Sequence, residues 1–208
     1  MPLRSPGEQA EAAASLLGER YKDGKQLLVA VNALLADLEP DPDPDRVKAF
    51  EQAVCDLGLH LGFAAHRPER DTGNGPDDLW IGGGASLVIE CKSGATTDAI
   101  PRSDVAQLGH SMAWFGEKYE GIGSQTVTPV LIHPSRVLKG DAVAPPRARI
   151  ITFEKLAELR QAVQRFATSV ADGQTFNDPK AVGRRLAHEH LNDRAFVGHW
   201  GQAPRSAR

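Results

Sequence analysis

The stretch GPDDLWIGGGASLVIECK, residues 75–92, decides how the middle of this chain folds. Two apolar runs flank the glycine turn 82–84, and such a pattern predicts a β-hairpin. Side chains alternate between the two faces of a strand. The second run therefore divides into one face with Val88, Glu90 and Lys92 and another with Leu87, Ile89 and Cys91.

The register of this hairpin brings two carboxylates together. A four-residue loop, 82–85, would pair Ile81 with Ser86 and place Asp77 opposite Glu90, with Cβ atoms roughly 5 Å apart. Two carboxylates at that distance repel unless a cation lies between them, and Mg²⁺ commonly binds one or two carboxylates. We therefore predict a Mg²⁺ or Mn²⁺ site at Asp77 and Glu90.

Lys92 lies two residues beyond Glu90 on the same face, where it could meet a water or phosphate oxygen. The alternative is a purely structural hairpin, in which Asp77 and Asp78 cap a turn while Glu90 and Lys92 form an exposed pair. That alternative leaves unexplained why so apolar a strand carries two charges beside Val88.

Pro76-Asp77 and Glu90-Cys91-Lys92 resemble the two halves of the PD-(D/E)XK nuclease superfamily motif. The resemblance covers roughly residues 46–135. It implies an α/β fold with a restriction endonuclease-like α-β-β-β-α-β core, in which helices flank a mixed central sheet. It also implies metal-dependent hydrolysis of phosphodiester bonds, with Asp77, Glu90 and Lys92 as catalytic residues.

Further site residues follow from the same resemblance. The superfamily often adds a carboxylate from the helix before the hairpin, which Glu51 matches by position, with Glu69 as a rival in the next loop. In the branch similar to the nuclease domain of RecB, a glutamine follows on the next helix. Gln107 matches it, although Ser111 stands where that branch has a tyrosine. The Cys91 backbone carbonyl completes the predicted metal ligands, and one-metal and two-metal schemes both remain open.

Hydrophobic spacing organises the rest of the chain into three segments. We expect a helical N-terminal extension over 1–45, a nuclease-like core over 46–170, and a C-terminal helical extension ending in a polar tail over 171–208. The predicted helices are 8–20, 24–38, one capped by Asp45, 102–120, 154–170 and 178–191. Strands are predicted near 63–66, 127–133 and 148–153, with a polar loop before the hairpin.

The charge of the chain is unevenly distributed. Net charge is −3, but residues 1–138 hold 12 Lys+Arg against 20 Asp+Glu, whereas residues 139–208 hold 12 against 7. A basic C-terminal segment with Arg184 and Arg185 could contact phosphates, or it could be a solvated helix face. The aromatic residues Trp80 and Trp114 could stack on bases, although such side chains usually belong to the core.

Composition limits the class of protein. No apolar stretch approaches the roughly 20 residues that span a bilayer, and no secretory signal precedes the first helix. The two cysteines, Cys55 and Cys91, fit no zinc spacing, so we expect a reduced cytoplasmic protein. We expect Cys91 to be buried as a small hydrophobe.

Two functions from different classes are compatible with these observations. The first is a nuclease with a nucleic-acid substrate, DNA more than RNA, in restriction, repair or antiviral defence. The second is a non-catalytic binding or scaffolding subunit on a nuclease fold. The N-terminal helices would suit contacts between copies of the chain or docking to a larger partner such as a helicase.

Overall fold

The computed structural model describes residues 6–119 and 126–207. Glu120, the last residue of the predicted helix 102–120, lies outside these ranges. In chain order the elements are α1 (Pro6–Arg20), α2 (Gly24–Asp37), α3 (Pro44–His60), β1 (Ala64–His66), α4 (Pro68–Thr72), β2 (Asp78–Ile81), β3 (Ala85–Cys91), α5 (Arg102–Lys118), β4 (Thr126–Ile132), β5 (Val137–Leu138), β6 (Arg149–Ile151), α6 (Phe153–Asp172), α7 (Pro179–His188), α8 (Asp193–Trp200) and β7 (Arg205–Ser206).

A mixed five-stranded sheet forms the centre of this α/β fold, with strand order β1-β2-β3-β4-β6. Strands β1, β2 and β3 are antiparallel neighbours, whereas β4 runs parallel to β3 and β6 runs parallel to β4. A parallel pair needs a crossover connection, and α5 supplies it between β3 and β4. From α3 to β4 the chain thus runs helix, three antiparallel strands, helix, strand, with the short α4 inserted. None of the described helices is long and apolar enough to cross a membrane.

The hairpin has the predicted register. Ile81 pairs with Ser86 and Asp78 with Ile89, and the Gly82 N–H donates to the Ala85 carbonyl at 2.9 Å. Continuing this register by one residue beyond Asp78 places Asp77 across from Glu90.

The two faces of β3 enter different parts of the core. Leu87, Ile89 and Cys91 belong to the larger cluster, which includes Phe50 of α3. Val88 instead packs with Leu79, Ile81 and Phe115 of α5. Glu90 therefore projects from the side of the sheet that α5 covers, which explains how an acidic residue in a strand is completely buried.

Helix α3 begins earlier than the predicted cap at Asp45. The side chain of Asp43 accepts hydrogen bonds from the N–H groups of Asp45 and Arg46, so Asp43 is the N-cap. Pro44 then occupies the first helical position, where its missing N–H costs nothing because that group would have no intrahelical partner. Asp45 lies in the first turn instead.

The C-terminal segment contains a helix that was not predicted, located after the predicted helix 178–191. Asn192 caps a further helix, α8, by accepting from the Ala195 N–H at 2.9 Å. Two large side chains of α8, Phe196 and Trp200, are buried, and the Phe196 ring meets Trp80 of β2 at a centroid distance of 5.4 Å. The loop predicted before the hairpin likewise contains the one-turn helix α4.

One hydrophobic core connects the terminal helices to the sheet. The larger cluster includes Leu17 of α1, Leu27 of α2, Val182 of α7 and Phe196 of α8. These helices are therefore packed onto the same structural unit as the hairpin and contribute to its stability through shared burial.

Candidate active site

Asp77 and Glu90 form the centre of the candidate site. Asp77 immediately precedes β2, and its Oδ2 accepts a hydrogen bond from the Cys91 N–H at 2.7 Å. Glu90 is completely buried within β3. Burial, followed by the negative charge of Asp77, raises the pKa of Glu90 to about 8. Asp77 is therefore close enough to oppose the ionisation of Glu90.

The two oxygens of Glu90 have different surroundings. Oε1 accepts a hydrogen bond from the Ser111 hydroxyl at 2.5 Å, because α5 packs over this face of the sheet. Oε2 lies 3.6 Å from Lys92 Nζ and has no hydrogen-bond partner among the described residues. A buried oxygen in that condition is unfavourable, and a cation nearby would compensate for it.

Gln107 positions the lysine of the motif. Lys92 Nζ donates to Gln107 Oε1 at 2.8 Å, so α5 supplies partners both to Lys92 and, through Ser111, to Glu90. The structure thus brings two of the predicted site residues, Lys92 and Gln107, into contact. Ser111 stands where the RecB-like pattern has a tyrosine. Its hydrogen bond to Glu90 was not predicted.

Glu51 reaches the border of the site from α3 but is paired with Arg67, which follows β1. Burial, and then the charge of Asp77, raises the pKa of Glu51. Glu69 interacts with Asp77 more directly than Glu51 does. Its pKa is raised to about 7, first by a hydrogen bond to Asp77 and then by burial. Glu51, Arg67, Glu69 and Asp77 border one cavity of about 940 Å³.

The fit of these residues to a metal ion is partial. Over residues 6–119 and 126–207, no three His, Cys, Asp or Glu groups come together closely enough to hold a metal by themselves. Two of the acidic residues are paired with cations of the chain itself, Glu90 with Lys92 and Glu51 with Arg67. The unsatisfied Oε2 of Glu90, opposite Asp77 on the same face, still fits a hard cation that also uses backbone and water oxygens.

Asp78 occupies the opposite face, as the register predicts. It is completely buried and makes a side-chain hydrogen bond with the Cys55 thiol, a weak donor. Burial raises its pKa well above the usual value. The Cys91 side chain is buried as expected, and burial raises the pKa of its thiol, so Cys91 stays neutral.

The remaining predicted residues lie away from this centre. Arg184 and Arg185 are exposed on α7, which packs against α1 and α6, and they border a separate cavity of about 470 Å³. Trp80 is buried in the core, so it cannot stack on a base. Trp114 is only half-buried and borders two cavities near the site.

Sequence reasoning missed Arg67 and Ser111 as members of the site. Arg67 follows an edge strand, where a charged residue is ordinary, and Ser111 reaches Glu90 only because of the way α5 crosses the sheet. Position along α5 could have suggested Ser111, since it lies four residues after Gln107 and therefore on the same helix face.

Comparison with known proteins found no relative of this chain. The chain matches no protein-family model, and neither a search of curated proteins nor a search of solved structures found a similar protein.

Proposed function

We propose that this protein is a metal-dependent nuclease with a restriction endonuclease-like core. The observation that carries the proposal is the opposition of Asp77 and Glu90 across a hairpin, with Lys92 on the same face. The order helix, three strands, helix, strand from α3 to β4 supports the fold assignment. The biological setting we propose is cytoplasmic restriction, repair or antiviral defence, with DNA as the substrate in preference to RNA.

The metal would be Mg²⁺ or Mn²⁺, held by Asp77, Glu90 and the Cys91 carbonyl, with Glu51 near a second position. Such an ion supplies a Lewis acid that polarises a phosphate and lowers the pKa of a bound water. Glu51 would have to exchange its contact with Arg67 for that role.

The protein's own groups prepare the site for charge on a phosphate. Lys92, held by Gln107, places an ammonium beside Glu90, where it can donate to a phosphate oxygen or orient a water. Ser111 donates to Glu90 and so favours the ionised carboxylate that a metal needs. Glu69, with a pKa of about 7, holds a proton next to Asp77 at neutral pH in a fraction of molecules.

The test is a cleavage assay with a matched pair of variants. Purified protein would be incubated with plasmid, linear duplex DNA, single-stranded DNA and RNA in Mg²⁺, Mn²⁺ or EDTA. We expect cleavage that requires the metal and is lost in Asp77→Asn. Asp78→Asn is the control, because Asp78 lies on the other face of β2, and it should retain most of the activity.

Two results would contradict the proposal. Cleavage that survives in Asp77→Asn but not in Asp78→Asn would mean that the wrong face of β2 was assigned to the site. Nucleic-acid binding without cleavage of any substrate in either metal would favour the alternative, a non-catalytic subunit that acts with further copies of the chain or with a helicase-type partner.

A further inference from the structure

A cavity with aromatic walls adjoins the candidate active site. It has a volume of about 770 Å³ and lies between α4 and the C-terminal end of α5, bordered by His66, Asp71, Asn74, Trp114, Lys118 and Tyr119. We call it the aromatic cavity. Its volume is within the roughly 300–1,000 Å³ that is typical of sites for small organic ligands.

Trp114 connects the aromatic cavity to the catalytic groups. Together with Asn74, it also borders a smaller cavity of about 320 Å³ whose wall includes Gln107. The indole packs directly against the backbone of Gly75, where an added Cβ would come within 2.9 Å of Trp114 Cε2. Gly75 is two residues before Asp77, so this indole lies beside the loop that carries the first carboxylate of the motif.

The aromatic walls are held in place by neighbouring rings. Tyr119 stacks on Phe115 at a centroid distance of 4.9 Å and an interplanar angle of 12°, and its hydroxyl lies 3.0 Å from His66 Nε2. The Trp114 ring lies 6.2 Å from that of Tyr119. Burial lowers the pKa of His66, so the imidazole is neutral at pH 7 and contributes hydrogen bonding without charge.

These features match the chemistry of an unpaired nucleobase. Base–aromatic stacking tolerates any sequence, because every base has a π-face, and a neighbouring cation can contact the backbone. Lys118 is an exposed cation at this cavity. The aromatic surface is Trp114, which is half-buried and packs against Gly75. A base inside a duplex cannot use such a cavity, because it is stacked on both faces and must first be extruded.

We propose that the aromatic cavity binds an unpaired nucleobase of the same strand whose phosphate lies at Asp77 and Glu90. The substrate class is then single-stranded nucleic acid or a frayed end, in preference to intact duplex. This inference rests on the proposed function, which says only that a phosphodiester is cleaved, and it assigns Trp114 as a substrate-binding residue.

The test measures binding separately from cleavage. Fluorescence anisotropy in EDTA would give the affinities of labelled single-stranded DNA, single-stranded RNA and blunt duplex DNA. We expect Trp114→Leu to weaken single-strand binding by about 5-fold to 150-fold, which corresponds to the loss of one stacking partner worth about 1–3 kcal/mol. Duplex affinity should change less than 2-fold, and Trp114→Phe, which keeps a ring, should retain most single-strand binding.

A second measurement uses only the wild-type protein, so it does not depend on how a variant folds. Removing one base at a time from the single strand should weaken binding strongly at one position. Equal loss at all positions, or no loss at any, would overturn the inference. So would the absence of single-strand binding by the wild type, or equal affinities for Trp114→Leu and wild type on all substrates.

Cleavage assays on the same proteins distinguish this inference from the proposed function. Cleavage by wild type with no dependence of binding on Trp114 would overturn the aromatic cavity as a base site and leave the nuclease proposal in place. Base-dependent binding through Trp114 with no cleavage in Mg²⁺ or Mn²⁺ would support the aromatic cavity and overturn the nuclease proposal.

Discussion

Glu90→Gln should make the metal-free protein more stable, and increasingly so as the pH rises. The pKa of Glu90 is raised from 4.5 to about 8 in the folded protein. The native state therefore holds this proton more tightly than the unfolded chain does. The contribution of Glu90 to stability is fully present below pH 4.5, is lost as the pH rises through the window from 4.5 to about 8, and is constant above it.

The size of the effect follows from the width of that window. A difference of about 3.5 pH units at 1.36 kcal/mol per unit gives about 5 kcal/mol as the ceiling above pH 8. Glutamine has the shape of protonated glutamate and cannot ionise, so the variant escapes this loss. At pH 5 the two proteins should differ little, and at pH 9 the variant should be more stable by several kcal/mol.

Urea denaturation in EDTA at pH 5, 7 and 9 would measure these free energies of unfolding. Asp78→Asn is a useful comparison, because Asp78 is another buried acid with a raised pKa but lies on the opposite face. Adding Mn²⁺ should narrow the stability difference between Glu90→Gln and wild type, since a ligand that binds the native state stabilises it and the variant lacks the carboxylate. A Glu90→Gln variant no more stable than wild type at pH 9 would refute the reasoning.

Three further predictions concern Lys92 and Ser111, which contact Glu90, and the two arginines of α7. Lys92→Ala should preserve Mn²⁺ affinity in calorimetry and lower the cleavage rate at least 100-fold, because an ammonium cannot ligate a metal but can stabilise charge on phosphate; a matching loss of metal affinity would contradict this. Ser111→Ala removes a hydrogen bond that lowers the pKa of Glu90. In a plot of cleavage rate against pH, the rise on the acidic side should therefore move to higher pH by roughly one unit. An unmoved rise would show that Glu90 does not control it. Replacing Arg184 and Arg185 with Ala should make the plot of log binding constant against log salt concentration less steep by one or two units for duplex DNA, because each lost phosphate contact contributes about 0.9. Metal affinity should not change. An unchanged slope would identify α7 as a solvated or partner-binding surface.

Local patterns were sufficient for the hairpin and for most helices. The glycine turn and the alternation along β3 determine the pairing of Ile81 with Ser86, because a shift of one residue would exchange the two faces of the strand and turn Glu90 toward the larger apolar cluster in place of Leu87 and Ile89. Spacing of about 3.6 residues identified α2, α5 and α6 for the same reason, since a helix must bury one continuous stripe. The α/β class follows from these elements and their order.

Helix ends and the C-terminal region were harder to predict. Asp45 was predicted to cap α3, but Asp43 does so because the intervening Pro44 suits the first helical turn. Helix α8 has only eight residues, too few for a periodic pattern, and its Phe196 becomes a core residue only because Trp80 and Phe63 lie beside it.

The sequence by itself placed Asp77, Glu90 and Lys92 on one face, because strand periodicity links residues that are close along the chain or across a tight turn. Only the tertiary structure decided what surrounds them. Ser111 and Gln107 reach the site because α5 crosses β3. Arg67 forms an ion pair with Glu51 because β1 brings Arg67 next to α3. The raised pKa of Glu90 depends on burial by those same elements, and burial is a property of packing between distant segments.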